Sequence, residues 1–232
     1  MLLDWLVPPL CIACRHATCA RRGDPLCAPC RTTLPWLGPR VCPRCAQPRP
    51  CGRCPAARHA FARAWAPLGY AGPVPAVVNA LKERGALGLA GLMAAQLVAT
   101  APPDLWPAPD DGGAALVPVP GDPWRRRRRG IDHTARLARA LAPRTGLPVA
   151  PILARSARRP RQAGRRRAQR LRADPADVQV RTGRGGPDGP VGVAVLVDDV
   201  HTTGATLHAC ALALKDSGVR RVVAVTYARA LA

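Results

Sequence analysis

Residues 191–206 read V-G-V-A-V-L-V-D-D-V-H-T-T-G-A-T, and this stretch predicts the fold of most of the chain. Residues 193–197 are apolar, mostly β-branched and preceded by Gly189-Pro190, which predicts a short buried strand of a parallel sheet. Asp198 and Asp199 follow at its carboxyl end, where open α/β sheets bind their ligands. The stretch therefore predicts an α/β domain with a polar site at this strand end.

A loop rich in threonine and glycine comes next and leads into a helical pattern over residues 207–214. Its members are Thr202, Thr203, Gly204, Ala205 and Thr206. Hydroxyl and backbone N–H groups that meet at a helix N-terminus bind phosphate well, and the carboxylates suit sugar hydroxyls or Mg²⁺. A plain Asp-rich turn with a threonine cap is the competing interpretation. The run as a whole favours a pocket for a sugar phosphate.

Composition and charge restrict the kind of protein. The 232 residues suffice for one medium domain and a small one, and the net charge of +21 comes almost entirely from arginine. Such a charge attracts phosphates, nucleotides and nucleic acid. No apolar run is long enough to span a bilayer, and residues 1–10 lack the basic start of a signal peptide. We therefore expect a cytoplasmic protein that does not enter membranes.

Eight of the ten cysteines form C-x-x-C pairs near the N-terminus: Cys11, Cys14, Cys27, Cys30, Cys42, Cys45, Cys51 and Cys54. Each pair places two thiolates on one side of a turn, and two pairs complete a tetrahedral zinc site. We therefore predict two structural zinc ions without a catalytic role, which supply the folding energy of this segment. Pairing in sequence order is simplest, although the short gap after Cys45 also allows an interleaved arrangement.

Other uses of these cysteines fit less well. A disulfide scaffold is typical of secreted chains, and no export signal is visible. Redox C-x-x-C motifs accompany a thioredoxin-like pattern, which is missing here. Cys19 stands outside the pairs, and Cys210 lies in an apolar helical pattern that predicts a small core residue.

A second basic loop follows a short apolar strand predicted over residues 116–120. Gly121, the arginine block 125–129 and Gly130 precede a helical pattern over residues 131–141. This layout suits pyrophosphate, while a solvated charge run is the alternative.

The other predicted elements are more ordinary. They are a strand over 61–70 broken by Pro67, a largely helical 73–97 in which Lys82 is a solvated helix end, a strand over 148–153, and a final strand over 222–227. Residues 155–172 hold nine arginines and no aromatic residue, so we expect a mobile loop or an exposed basic helix.

The run D-D-V-x-T-T-G-A-T resembles the phosphoribosyl pyrophosphate (PRPP) signature of type I phosphoribosyltransferases. With the cysteine pairs in front, the chain resembles the ComF family, phosphoribosyltransferase-like proteins associated with natural competence and DNA uptake. Further landmarks are L-K-x-R-G at 81–85, V-P-V-P at 117–120, R-G at 129–130, Q-x-G at 162–164 and Arg170. The resemblance covers nearly the whole chain.

This resemblance implies a double zinc ribbon over residues 1–55 and a type I phosphoribosyltransferase fold over 56–232, with a central parallel sheet flanked by helices. It implies that Asp198 and Asp199 hold the ribose of PRPP near Mg²⁺ and that residues 202–206 bind the 5-phosphate. Gly121, Arg129 and Gly130 would line the pyrophosphate loop, and Gln162 and Arg170 belong to a candidate lid.

Two departures from the family pattern bear on catalysis. The family continues R-G with F-N-Q, whereas Ile131-Asp132-His133 stands here, and Ala173 and Val178 replace a usual Asn and Phe.

The favoured function is phosphoribosyl transfer with release of pyrophosphate. The alternative is a non-catalytic accessory factor in DNA uptake that binds single-stranded DNA or DNA-processing proteins and uses PRPP as a regulatory ligand.

Overall fold

A parallel sheet forms the centre of the computed structural model, which describes residues 10–16, 25–51, 54–82, 88–108, 111–122, 130, 132–155, 178–181 and 191–231. The strands are β1 (Arg63–Trp65), β2 (Leu68–Gly69), β3 (Ala114–Pro118), β4 (Leu153–Arg155), β5 (Val178–Val180), β6 (Val193–His201) and β7 (Arg221–Arg229). The sheet order is β1-β7-β6-β3 with β2 also beside β7, and all of these pairs are parallel. β4 and β5 form a separate antiparallel pair.

Five described helices accompany the strands: α1 (Ala28–Thr32), α2 (Val74–Leu81), α3 (Leu89–Thr100), α4 (His133–Thr145) and α5 (Ala205–Asp216). α2, α3 and α4 pack on one face of the sheet, where Val195 and Val197 of β6 point. α5 covers the other face, where Ala194 and Leu196 point. The alternation of β6 between two apolar layers is what a buried parallel strand requires. Among the described helices, none combines the length and apolarity needed to cross a bilayer.

The α/β class with a mostly parallel sheet and helices is confirmed, as is a cysteine-rich zinc-binding segment before it. The strand broken at Pro67 is present as β1 and β2. The predicted strand over 148–153 is wrong in extent, because Val149 makes only an isolated bridge to Leu116 and β4 begins at Leu153. Pro148 and Pro151 interrupt the run of backbone N–H donors that a longer strand would need.

β6 is longer than its apolar core suggests. It runs to His201 because β7 offers partners beyond the apolar stretch, with Asp198 opposite Thr226 and His201 opposite Arg229. Pairing with β3 ends earlier, at Val197 opposite Pro118. The two aspartates therefore lie within the last residues of β6 and not after it, just past the end of the shorter neighbour β3.

Candidate functional site

The eight paired cysteines form two compact clusters. Within each cluster one sulfur per residue lies within 4.8 Å of all the others. The first zinc site holds Cys11, Cys14, Cys27 and Cys30, and the second zinc site holds Cys42, Cys45, Cys51 and Cys54. Pairing in sequence order is therefore confirmed, and the interleaved arrangement is wrong. Cys19 lies outside the described residues.

The sulfur geometry fits zinc. Sγ of Cys14 lies 3.7 Å from Sγ of Cys27, and Sγ of Cys42 lies 3.9 Å from Sγ of Cys54. A tetrahedron with Zn–S bonds of about 2.3 Å has edges of about 3.8 Å, whereas a disulfide needs about 2.05 Å. Burial opposes ionisation of Cys11 and Cys42, but backbone N–H groups donate to their sulfurs and lower the pKa to about 6 and about 7. Each set of donors suits one structural zinc ion.

Asp198 and Asp199, the carboxylate pair, lie at the carboxyl end of the sheet, where residues of two helices reach Asp199. Asp199 is only 8% exposed, and Asp198 is partly buried. Lys82, at the end of α2, places its Nζ 2.8 Å from Oδ2 of Asp199. His133, the first residue of α4, places its Nε2 3.2 Å from the same oxygen. The pair is thus held from both α2 and α4.

These neighbours separate the pKa values of the two carboxyl groups. Burial, followed by the charge of Asp199, raises the pKa of Asp198 to about 7. Burial also acts to raise the pKa of Asp199, but His133 and Lys82 outweigh it and lower that pKa to about 2. Adjacent carboxyl groups with such different pKa values are typical of functional sites.

Lys82 corrects the prediction of a solvated helix end. Its polar neighbours in sequence indicated exposure, but its ammonium forms an ion pair with a buried carboxylate of a distant strand. His133 was missed altogether. The available signal was its position at the start of the helix that follows the basic Gly-containing loop. Asp132 stands where the family pattern has an asparagine, and it caps that helix. Its Oδ1 accepts hydrogen bonds from Thr134 Oγ1 and the Ala135 N–H.

His133, Asp198 and Asp199 each offer a ligand atom, and these atoms lie within 4.8 Å of one another. The two carboxylates are of the oxygen type that Mg²⁺ prefers, whereas an imidazole suits transition metals better. Lys82 already supplies a positive charge to Asp199. Among the described ion pairs none involves Asp198, so of these groups its carboxylate is the one that could hold a divalent cation.

Residues 202–206, the candidate phosphate loop, connect β6 to α5. Thr202 and Thr203 are exposed, and Gly204 is the N-cap residue of α5. Gly204 has a φ of +81°, and a Cβ there would lie 2.7 Å from Cε1 of His59 and 2.8 Å from Nε2 of His201. Glycine is needed on both grounds. The threonine hydroxyls and the first N–H groups of α5 thus share one turn.

Only some of the predicted pyrophosphate-loop and lid residues lie in the part of the chain that the structure describes. Gly121 lies just beyond β3, and Gly130, with a φ of +67°, lies shortly before α4. Both belong to the segment that joins β3 to His133. Arg129, Gln162 and Arg170 lie outside the described residues, as does most of the arginine-rich segment.

A cavity of about 650 Å³ lies elsewhere, where the cysteine-rich segment meets β1. Trp36, Trp65 and Arg63 line it together with residues 100–103. It shares no residue with the carboxylate pair or the phosphate loop.

Comparison with known families identifies one part of the chain. Residues 2–59 match the double zinc ribbon domain. The chain therefore carries a double zinc ribbon with two Cys₄ sites at its N-terminus. A comparison with curated proteins finds no match.

Proposed function

We propose that residues beyond the zinc ribbon bind PRPP with Mg²⁺ in the manner of ComF-type phosphoribosyltransferase-like proteins. The observation that carries the proposal is the juxtaposition, in one strand–turn–helix unit, of a largely buried carboxylate pair and a threonine–glycine turn at a helix N-terminus. The parallel sheet places this unit at its carboxyl end, where α/β proteins bind phosphorylated ligands. The choice of PRPP as the ligand rests on the resemblance of D-D-V-x-T-T-G-A-T to the PRPP signature.

Each group of the site has a role in this proposal. Asp198 and Asp199 accept hydrogen bonds from the ribose hydroxyls, and Lys82 and His133 keep Asp199 ionised and oriented. The phosphate loop donates to the 5-phosphate through the Thr202 and Thr203 hydroxyls and the N–H groups that open α5. The pyrophosphate lies against the segment that contains Gly121 and Gly130. Arg129, Gln162 and Arg170, to which the resemblance assigns pyrophosphate and lid roles, lie outside the described residues.

The reaction we propose is displacement at the anomeric carbon. The bond from that carbon to the pyrophosphate oxygen breaks, and the electron pair leaves with pyrophosphate. A nucleophilic acceptor supplies the pair for the new bond. Because the transition state resembles an oxocarbenium ion, the protein acts by orienting the ring and stabilising the departing charge. Mg²⁺, held by Asp198, would supply further positive charge to stabilise the departing pyrophosphate.

Calorimetric titration of the full chain with PRPP in the presence of Mg²⁺ tests the binding step. We expect Asp199→Asn to weaken PRPP binding by at least about tenfold, equivalent to about 1.4 kcal/mol. Asp216→Asn is the matched control, because it makes the same charge change at an exposed position at the other end of α5. Equal affinities for the two variants would refute the assignment of the carboxylate pair. Release of pyrophosphate with candidate bases then tests turnover.

A second candidate function is favoured by the zinc ribbon and the charge. Double zinc ribbons are consistent with nucleic-acid-related proteins, and a net charge of +21 attracts polyanions. In this alternative the chain is an accessory factor in DNA uptake that contacts single-stranded DNA or DNA-processing proteins, and PRPP regulates it. Only 3% of residues are aromatic, so we expect electrostatic binding without extensive base stacking.

Salt dependence tests this alternative. DNA affinity should fall by about 10³-fold or more between about 50 and 200 mM salt if several arginines contact phosphates. Affinity that persists at high salt would contradict electrostatic binding. A change in DNA affinity on addition of PRPP would support the regulatory role, and turnover of PRPP independent of DNA would favour the enzyme.

A further inference from the structure

Arg229, the last residue of β7, connects the second zinc site to the candidate phosphate loop. The residue is only 3% exposed. Its Nε donates to the carbonyl of Cys45 at 2.7 Å, and its Nη1 donates to the carbonyl of His201 at 2.7 Å. The same nitrogen donates to the carbonyls of Thr202 and Ala230. One guanidinium therefore binds a zinc ligand residue and the start of the loop together.

The charge of this guanidinium also points to zinc. Among the described ion pairs, none joins Arg229 to a carboxylate. Four thiolates around one Zn²⁺ carry a net charge of about −2. A buried cation needs a counter-charge, and the zinc-loaded second site supplies one.

A second contact from the same segment reaches the loop independently. His59 lies against Gly204, with Cε1 and Nδ1 of the ring 2.7 and 3.0 Å from the position a Cβ would take. Arg44, which stands inside the Cys42–Cys45 knuckle, donates to the His59 carbonyl at 3.1 Å. The knuckle thus fixes the backbone of the residue that packs on the phosphate loop.

The first zinc site has no such link among the described residues. Its cysteines pack into the apolar cluster on the α2, α3 and α4 face. Those of the second site pack into the cluster on the α5 face, together with Leu207 at the start of α5. The two sites therefore lie on different faces of the sheet.

We propose that the second zinc site positions the phosphate loop, with Arg229 as the positioning residue, and that zinc in this site sets the affinity of the loop for the ligand phosphate. Loss of this zinc removes the counter-charge of Arg229 and frees the Cys45 carbonyl. The His201 and Thr202 carbonyls then lose their fixed donor. The identity of the ligand rests on the proposed function, but the ordering of the loop does not.

Hydrogen exchange of the full, zinc-loaded chain tests the ordering directly. We expect Arg229→Gln to speed amide exchange within residues 201–206 by at least about tenfold while the zinc content stays at two ions. Arg229→Lys keeps the charge but lacks the planar fork, so it should restore the exchange rate only in part. Arg63→Gln is the matched control, because the described contacts of Arg63, with Asp104 and with β7, include neither zinc site nor the loop. Exchange in Arg229→Gln equal to that of Arg63→Gln would overturn the proposal.

A second pair of variants separates the two zinc sites. Cys51→Ser and Cys30→Ser each remove a partly buried ligand from one site. We expect faster loop exchange and at least about tenfold weaker PRPP binding for Cys51→Ser, with loop exchange in Cys30→Ser within about twofold of the unmodified chain. Equal effects on the loop would overturn the proposal. If the unmodified chain binds no PRPP with Mg²⁺, the proposed function fails, whereas the exchange result still decides whether zinc orders the loop.

Discussion

Replacing Lys82 by methionine tests whether the ion pair at the carboxylate pair is energetically significant. The pKa of Asp199 falls from 3.8 to about 2 in the folded chain, with burial outweighed by His133 and Lys82. At about 1.4 kcal/mol per pKa unit, this shift corresponds to about 2 kcal/mol of stability. Because His133 and Lys82 also offset the opposing contribution of burial, their two contributions together exceed this net value. If they contribute equally, we expect a coupling of more than about 1 kcal/mol between Lys82 and Asp199. The stabilisation is present above pH 4 and is lost as the pH falls towards 2.

A double-mutant cycle of Lys82→Met and Asp199→Asn measures this coupling. Urea unfolding at about pH 7.5 with zinc present, followed by both fluorescence and circular dichroism, gives the free energies. The control cycle is Arg63→Met with Asp104→Asn, because that pair is as close, at 2.5 Å, but Asp104 is 74% exposed. Exposed pairs contribute about 0–1 kcal/mol. A Lys82–Asp199 coupling no larger than the control would refute the argument that burial makes this pair strong.

The remaining predictions concern single positions. Gly204→Ala should cost at least about 2 kcal/mol in urea unfolding, since φ is +81° and the new Cβ meets His59; an unchanged midpoint would contradict this geometry. Asp132→Ala should cost about 1 kcal/mol by removing the cap of α4, whereas Asp132→Asn should cost much less. PRPP affinity should rise as the pH rises through about 7 and level off above about 8, because binding needs the ionised form of Asp198, whose pKa is about 7. Titration of the PRPP phosphates also contributes to the rise in affinity with pH, and Asp198→Asn should leave only that contribution. A pH profile of affinity in Asp198→Asn identical to that of the unmodified chain would exclude Asp198 as the titrating group.

Local sequence patterns predicted those features that depend on neighbours along the chain. The C-x-x-C spacing is a property of one tight turn, so the zinc ligands and their number followed from it. The apolar run 193–197 and the glycine at 204 are likewise local, and they predicted the strand and the turn before α5. Cys210 is buried, as its apolar helical setting indicated.

The features that were missed depend on contacts between distant parts of the chain. Nothing around Lys82 or His133 indicates a buried carboxylate as partner, because that partner is set by how α2 and α4 pack on β6. The extension of β6 to His201 likewise depends on the length of β7. Arg229 carries no motif, and the carbonyls of Cys45, His201 and Thr202 that it binds lie far from it in sequence. The sequence therefore predicts the carboxylates and the threonine–glycine turn of the candidate site, but not the residues that hold them in place.

The position of the zinc ribbon along β1 has a consequence for self-association. β1 is the outermost strand at one side of the described sheet, and Ala64 in it donates its N–H to the Pro43 carbonyl. Arg44 covers the carbonyl of Ala62, and Trp36 bridges to Leu68 of β2. An unpaired strand at a sheet border recruits strands from other molecules. Chelation of zinc should therefore lead to strand-mediated aggregation, visible as increased light scattering and thioflavin fluorescence. In this interpretation the zinc ribbon also prevents β1 from pairing with strands of other molecules.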